Sequence, residues 1–589
     1  MFVLAHAGNR AQHALPTAAC SHVVRAECSG TPWANYALVS VGNRRRTGGH
    51  RLNFVAACAS SIAETPRLVL GLDIGTSGVK VGLVDEAGCV LFSAYSVIER
   101  SASALDRIDQ DPGSHADPGV SEQRPQDWLL AVQKVISESK AFISQNVACR
   151  PSGIVVTGHM QDLILVGQDG EILLGGVSIM YDDTRAREQA AELSRRLGQV
   201  VSASDLLPKL MYAKEHGPDR GLQRVQHALF GAHDYVCFIL SGGRRAVSDI
   251  VTLCTTGLLD SEQTDFDYGR MAAALQMQVD TLREIMPEIV SPHDPIGTVA
   301  ADVALGLFSW PELAQLPVYH ALGDAGATCF GSGCVSRNDD KLHCYIGTSG
   351  WIGGSFPVLP PLGDLPSRDE ETSPASTVFE LAHPDDETSI VLASMTTAGG
   401  AFAWACEMFG IPPSKGSLEA ATQSRPGAGD VLFLPYIRGE RCPFRDSGAS
   451  GAFLNLRATT TRADMLRACM EGVAFNFRAV FEALQARTGS LIDSKERLRL
   501  VGGGAVSALW ADIISATLNT ELEVLDDPGL VAIKGAAYCV FGSNRQLSKV
   551  ERDVESSFFA GTHTIVPKAA WVHIYDARYK AFIEAKNKM

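Results

Sequence analysis

The tetrapeptide Gly-Thr-Ser-Gly occurs twice, at Gly75–Gly78 and Gly347–Gly350, each time after an apolar run. A strand entering such a turn presents backbone N–H groups and hydroxyls together, and glycine lets the main chain approach an anion closely, so the turn can hold phosphate. Two of them predict a triphosphate pinched between two halves of the molecule. Thr76 and Thr348 offer hydroxyls to its distal oxygens, and Ser77 and Gly347 complete the cradles; taken singly, each turn also reads as an ordinary hairpin. Asp73 lies at the strand end beside the first turn, where one carboxylate is enough to hold a hydrated Mg2+, because that ion keeps most of its waters. Asp324, in Gly-Asp-Ala-Gly-Ala, is a lone acid among small residues where a substrate can come close. It can act as a general base toward a hydroxyl within hydrogen-bond reach, or simply cap a helix. Gly502-Gly503-Gly504 precedes a helical pattern, and a helix N-terminus with bare backbone favours a nucleotide's phosphate or polar edge.

These residues need elements to hold them. LVLGLDI, VKVGLVD and CVLFSAYSVI read as three consecutive antiparallel strands with a turn at Asp85–Gly88. A helix follows Pro125, with Leu129, Val132 and Ile136 on one face. GIVVTG is a further strand, DLILVGQDGEIL a hairpin turning at Gln168–Gly170, and a charged helix runs from about Asp183 to Leu197. The second half repeats this grammar. LHCYIGTSGWIGG is strand, turn and strand; AGGAFAWACEMFG opens a helix; the run from Arg462 is a long core helix through Leu466, Met470, Val473 and Phe477; LRLVGGG leads into another helix, and ELEVL closes the sheet. Recurrence of one turn in one context predicts a duplicated domain. The Pro- and acid-rich segment from Phe356 to Asp386 reads as a surface excursion. In GERCPFRD, Arg438, Glu440, Arg441 and Arg445 read as a loop locked by ion pairs.

The series LGLDIGTSGVKVGLVDEAG, GHMQDLIL, MYDDTRA, LPKLMYAKEHGPD, GAHDYVCFILSG, GDAGA, YIGTSGW, AGGAFAW, PYIRGERCPFRD, EGVAFNFR, VGGGAVSALWADII and KGAAY resembles the FGGY carbohydrate kinases, and within them is most similar to xylulose kinases. The resemblance implies an α/β fold of two ribonuclease-H/actin-like lobes with an active-site cleft between them. Residues 67–330 would form the sugar-binding lobe and 331–589 the nucleotide-binding lobe. It implies Asp324 as catalytic base, Asp73 as the metal-organising acid, Thr76, Ser77, Gly347, Thr348, Gly399, Gly400, Gly503 and Gly504 at ATP, and His159, Met160, Gln161, Tyr181, Asp182 and Asp324 at the sugar. The chain departs from the pattern where the family's Gly-Gln-Met-His-Gly is Gly158-His159-Met160-Gln161-Asp162, and where Trp-Asn-Asp-x-Arg is Tyr181-Asp182-Asp183-Thr184-Arg185. On the residues alone His159 also reads as a buried, satisfied histidine, and Asp182, Asp183 and Arg185 as charges at a helix start. The implied activity is ATP- and Mg2+-dependent phosphorylation of a ketopentose, D-xylulose first, D-ribulose or another polyol or ketose second. A non-catalytic actin-like nucleotide-binding module is the alternative outside catalysis. A dinucleotide oxidoreductase fits worse, since no Gly-x-Gly-x-x-Gly follows the first strand.

The 589 residues, 46% hydrophobic and 20% charged, exclude a disordered chain, and the net charge of −15 argues against a surface built for nucleic acid or anionic lipid. No membrane span is expected, and the partners are a small-molecule sugar and ATP; a homodimer is compatible with this reading. The 14 cysteines are scattered with no Cys-x-x-Cys, so reduced thiols are expected rather than zinc or a disulfide framework. Residues 1–66 hold six arginines, no lysine and only Glu27 and Glu64 as acids. That composition predicts a cleaved transit peptide, with the plastid stroma preferred over mitochondrion or cytoplasm, or else a disordered leader.

Overall fold

The opening strand Leu68–Ile74 is buried along its whole length because both of its faces are covered. Leu68, Leu70, Leu72 and Ile74 enter one apolar core, while Val69 joins a second layer containing Ile533 from the far end of the chain. A strand alternates faces, so a continuous apolar run is what a central strand covered on both sides requires. The computed structural model describes residues 67–99, 119–146, 149–198, 200–217, 221–360, 373–385, 387–446, 448–542, 558–559 and 562–588. The predicted transit peptide lies outside the described residues.

The fold is α/β, with two sheets of one topology. In the first, Leu68–Ile74, Gly78–Asp85 and Val90–Val97 pair antiparallel. Gly153–Gly158 then lies parallel to the opening strand and Pro317–His320 parallel to that, with Pro295–Thr298 antiparallel at the edge. In the second, Lys341–Ile346, Gly350–Pro357 and Thr388–Met395 pair antiparallel, and Arg497–Val501 and Leu522–Leu525 follow in parallel on the other side of Lys341–Ile346. Each Gly-Thr-Ser-Gly turn joins the central strand of its sheet to the next. The repeated turn thus marks a repeated sheet.

Several elements differ from the sequence reading. The turn at Gln168–Gly170 forms, but beyond it only a Val166–Ile172 bridge is made, and Met160–Gly167 pairs with Val225–Gly231 instead. The charged helix starts at Arg187, because Asp183 is consumed by Arg185 in the turn before it. The excursion predicted from Phe356 is partly core: Phe356 is fully buried, and Phe379–Ala382 is an edge strand on Thr388–Met395. Leu522–Leu525 does not close the sheet, since Thr562–Ile565 pairs outside it. Among the described residues no helix is long and apolar enough to cross a membrane.

Two helices tie the halves together. Asp324–Gly331 packs against Val531–Gly542 through glycines: a Cβ on Gly331 would lie 1.9 Å from the Val531 carbonyl oxygen, and one on Gly535 would lie 1.8 Å from that of Ala327. Both obstacles are backbone, so the crossing can yield only by moving a helix, and one of the two begins at Asp324. Gly535→Ala is expected to destabilise the protein by about 2 kcal/mol or more through this overpacking. Urea unfolding with an unchanged midpoint would show that the crossing relaxes at no cost.

Candidate active site

Asp324 begins its helix directly after Gly323, which stands at the cap with φ −55° and ψ 163°. A Cβ on Gly323 would lie 2.1 Å from the Met160 sulfur, so the bare backbone allows Met160 to pack against the residue preceding the acid. Burial pushes the Asp324 carboxyl up to about 6, with Asp73's charge adding to the rise and His159 and His233 opposing it. Those four groups therefore share one electrostatic neighbourhood.

On one side of it, Asp73 is 7% exposed and pairs through Oδ2 with Lys80 Nζ at 3.2 Å. Their register is fixed by the hairpin, which places Asp73 opposite Lys80. Burial alone would lower the Lys80 ammonium, but Asp73 outweighs it and holds the group above its ordinary range. Tyr345, on the second lobe's central strand, is pushed up to about 12 by burial, opposed by Lys80 and reinforced by Asp73 and Asp324. The two lobes meet electrostatically at this point. Tyr345 stacks on Trp351 with centroids 3.9 Å apart, and Trp351 Nε1 donates to His343 Nε2 at 3.0 Å.

The second turn gathers the predicted glycines. Gly399 N donates to the Gly347 carbonyl at 2.9 Å, and Ala398 N and Gly400 N to that of Thr348 at 2.8 and 3.0 Å. Gly504 lies against Ile346, where a Cβ would be 2.5 Å from Ile346 Cγ2, and Gly503 adjoins it. Gly347, Thr348, Gly399, Gly400, Gly503 and Gly504 thus gather at the end of Lys341–Ile346, with Gly399 and Gly504 themselves buried. The glycines at 502–504 do not open the helix as expected. They form a short 3₁₀ turn with Gly503–Val506, and the helix Ala508–Leu518 is capped by the Ser507 side chain, which can accept from Trp510 N. In the first turn Ser77 is exposed and Thr76 half-buried, and the Thr76 carbonyl accepts from Gln123 Nε2 at 2.9 Å.

Gln123 leads to the predicted sugar residues. Its Oε1 accepts from Trp128 Nε1 at 2.7 Å, and Trp128 meets His159 edge-on, centroids 5.1 Å apart. His159 is 2% exposed; Nδ1 bonds Asp162 Oδ2 at 2.5 Å, and the buried Nε2 has no partner among the described residues. It is half-satisfied, between the two alternatives left by the sequence. Burial raises the Asp162 carboxyl and His159 restrains the rise, while Asp162 Oδ1 accepts from Tyr181 N at 3.2 Å. Gln161 has φ 68°, the left-handed region that costs a side-chain-bearing residue strain and concentrates at functional sites, and its Nε2 donates to the Thr255 carbonyl at 2.8 Å. Burial pushes the Tyr181 phenol up to about 12, reinforced by Asp182 and Asp324 and opposed by Arg441.

Not every sequence candidate joins this group. Asp182 is exposed, and Asp183 and Arg185 form a charge pair at 2.7 Å that also takes in Glu122, also at 2.7 Å. The GERCPFRD loop is not an ion-pair lock: Glu440 accepts from the backbone amides of Thr396 and Arg441, both at 2.7 Å, while Arg441 and Arg445 lie over the rings of Tyr181 and Phe379.

Other participants were not anticipated. Lys209, fully buried, donates to the Met180 carbonyl at 2.7 Å, fixing the chain before Tyr181; burial lowers its ammonium to about 8 against four nearby aspartates. Behind Asp324, His233, Asp234, Asp249 and His320 are all buried, their ligand-type atoms within 4.8 Å of one another. Such donors can hold a metal, yet here most of them already bond one another and the backbone, His233 Nδ1 alone of the cluster lacking a partner among the described residues. His320 bridges the Ala321 carbonyl and Asp234, Asp249 pairs with His233 and Thr252 and caps the helix Ile250–Cys254. The cluster reads as a polar buttress.

Sequence comparison matches this arrangement. The model of the FGGY family of carbohydrate kinases, N-terminal domain, covers residues 68–331, and that of the C-terminal domain covers 380–541. This chain belongs to the FGGY family. It is 27% identical to a xylulose kinase of Staphylococcus epidermidis over 80% of this chain and 88% of that one. It is 26% identical to a xylulose kinase of Bacillus subtilis, covering 88% and 96%. The solved, ligand-bound xylulose kinase of Lactobacillus acidophilus shares the fold with a TM-score of 0.69 at 20% identity, over 89% of this chain and 98% of that chain. An FGGY kinase is a phosphotransferase with an alcohol group as acceptor, and its two actin-like lobes are the repeated sheets described above.

Proposed function

We propose that the chain phosphorylates a ketopentose, D-xylulose first, with Asp324 taking the proton from a terminal hydroxyl as that oxygen attacks the γ-phosphorus of ATP. The observation carrying this reading is the setting of Asp324: a carboxyl brought near neutrality at a helix start, with Asp73 and Lys80 to one side and His159 and Tyr181 to the other. A base with its pKa close to working pH combines a large ionised fraction with a useful affinity for the proton. Phosphoryl transfer asks little covalent chemistry of the protein, so positioning and charge neutralisation supply most of the rate.

Thr76, Ser77, Gly347 and Thr348 would hold the phosphates, and Gly399, Gly400, Gly503 and Gly504 the rest of the nucleotide. Asp73 fits a hydrated Mg2+: Lys80 takes Oδ2, and Oδ1 has no partner among the described residues. A bound Mg2+ supplies charge neutralisation on the phosphates. His159 Nε2, Met160, Gln161 and Tyr181 would face the sugar. D-Ribulose is the second reading. It differs from D-xylulose only in configuration at C3, and the strained Gln161 backbone beside an unpartnered His159 Nε2 is where such a difference would be felt. The composition of residues 1–66 supports import into the plastid, which N-terminal sequencing of the mature protein checks.

The test is coupled ADP release with xylulose, ribulose, glycerol, ribitol and sedoheptulose. A pentulose is expected to give the highest kcat/KM. Preference for glycerol or ribitol would overturn the ketose assignment.

A further inference from the structure

Arg441 stands out among the charged groups around the cleft because the proposed chemistry does not use it. Its base is rigid. Glu440, 4% exposed, is held by Thr396 N at 2.7 Å and Asn476 Nδ2 at 2.9 Å and in turn accepts from Arg441 N at 2.7 Å. Cys442, fully buried, accepts from Thr377 Oγ1 at 3.1 Å. With both neighbours anchored, the side chain leaves the second lobe in a defined direction, and its guanidinium carbon lies 5.9 Å from the centre of the Tyr181 ring on the first lobe. Nearby Arg445 is already engaged, donating to the Ser376 carbonyl at 3.2 Å. Among the described residues Arg441 makes no such bond, and its Nε is buried with no acceptor.

A buried donor on a permanently charged group left unpaired is costly, and persists where a ligand supplies the missing acceptor. Which ligand follows from the neighbours. Lys80 shares the phosphate side with Asp73 and Tyr345, whereas Arg441 acts on Tyr181, whose phenol also feels Asp324. Resting on the kinase reading above, we propose that Arg441 is a specificity-determining residue that reaches across the cleft to donate its guanidinium fork to adjacent oxygens of the acceptor sugar, at the Tyr181 end of the site. A planar fork suits two neighbouring oxygens on a carbon chain, and a lysine ammonium cannot reproduce it. Tyr181 provides the ring over which the fork lies.

The experiment is steady-state kinetics of the full chain and of Arg441→Gln and Arg441→Lys, with the sugar and ATP varied separately and thermal midpoints as the control for folding. Both variants are expected to raise KM for the sugar by about tenfold or more, with KM for ATP unchanged within about twofold, because the contact is made to the acceptor alone. A singly deoxygenated sugar lacking the contacted oxygen is expected to lose efficiency with the wild type and to lose little more with Arg441→Gln. An unchanged sugar KM, an equal rise in the ATP KM, or full rescue by lysine overturns the inference while leaving the kinase reading intact. Absence of sugar-dependent ADP release in the wild type overturns both.

Discussion

Asp324→Asn is expected to lower sugar phosphorylation by about 10²–10⁴ while leaving ATP affinity nearly unchanged, since a general base contributes about that factor to rate and little to donor binding. Turnover within tenfold of wild type would remove Asp324 from the role of base. The wild type carries an independent signature: with the carboxyl pushed up to about 6 by burial and Asp73, kcat/KM should fall about tenfold per pH unit below that value. The same shift has a stability consequence of definite sign. A carboxyl whose folded pKa lies above its unfolded value of 3.8 is most favourable to folding below 3.8, and that contribution is lost as pH rises through about 6. At pH 7.5 the charged, crowded Asp324 therefore costs stability. Asn, which cannot ionise, is expected to stabilise the fold there by about 1–2 kcal/mol, after discounting for the carboxyl's partial exposure. Loss of activity with a raised thermal midpoint is a pairing that a damaged fold cannot produce.

The parts of this site that lie within one local motif were legible in the sequence. Asp73 with its turn and Asp324 after its glycine each stand out over a few residues, whereas the glycines at 399–400 entered only through the family resemblance and those at 502–504 form a 3₁₀ turn rather than the helix start their spacing suggested. Lys80 was within reach: a strand, a four-residue turn and a returning strand of period two place it opposite Asp73, so the hairpin register contained the ion pair. What was not legible depends on long-range assembly. His233 and Asp234, Asp249 and His320 come from three separated segments with no spacing that links them. Arg441 looked like one member of a self-paired loop because its sequence neighbours alternate in sign; only the approach of the second lobe to Tyr181 gives it another partner. Lys209 sits among apolar helix residues, where nothing local shows that its ammonium is needed by the Met180 carbonyl. The crossing of Asp324–Gly331 with Val531–Gly542 shows the same division: both glycines are plain in the sequence, but their contact joins the two lobes.

Asp73→Asn should act on the same chemistry from the donor side, and its effects separate from those at Asp324. The substitution keeps shape but removes the anion, so the Mg2+ concentration for half-maximal velocity is expected to rise about tenfold or more, with kcat reduced by about 10², on the scale of losing one electrostatic stabiliser of a transition state. Asp73 is also one cause of the raised Asp324 carboxyl, so its neutralisation should move the acid limb of the kcat/KM profile to lower pH. That second readout is taken at saturating Mg2+, and it distinguishes a direct charge effect from a general weakening of the site. Lys80 supplies the counter-test. Lys80→Met leaves Asp73 at 7% exposure without its partner at 3.2 Å, and breaking this half-buried pair from one side costs about 1–3 kcal/mol. Adding Asp73→Asn to Lys80→Met should recover much of that stability, because the orphaned charge is gone, while Mg2+-dependent turnover stays lost. A metal titration and an acid limb both unmoved by Asp73→Asn would assign the carboxylate to the ion pair alone and require another residue to organise the phosphates.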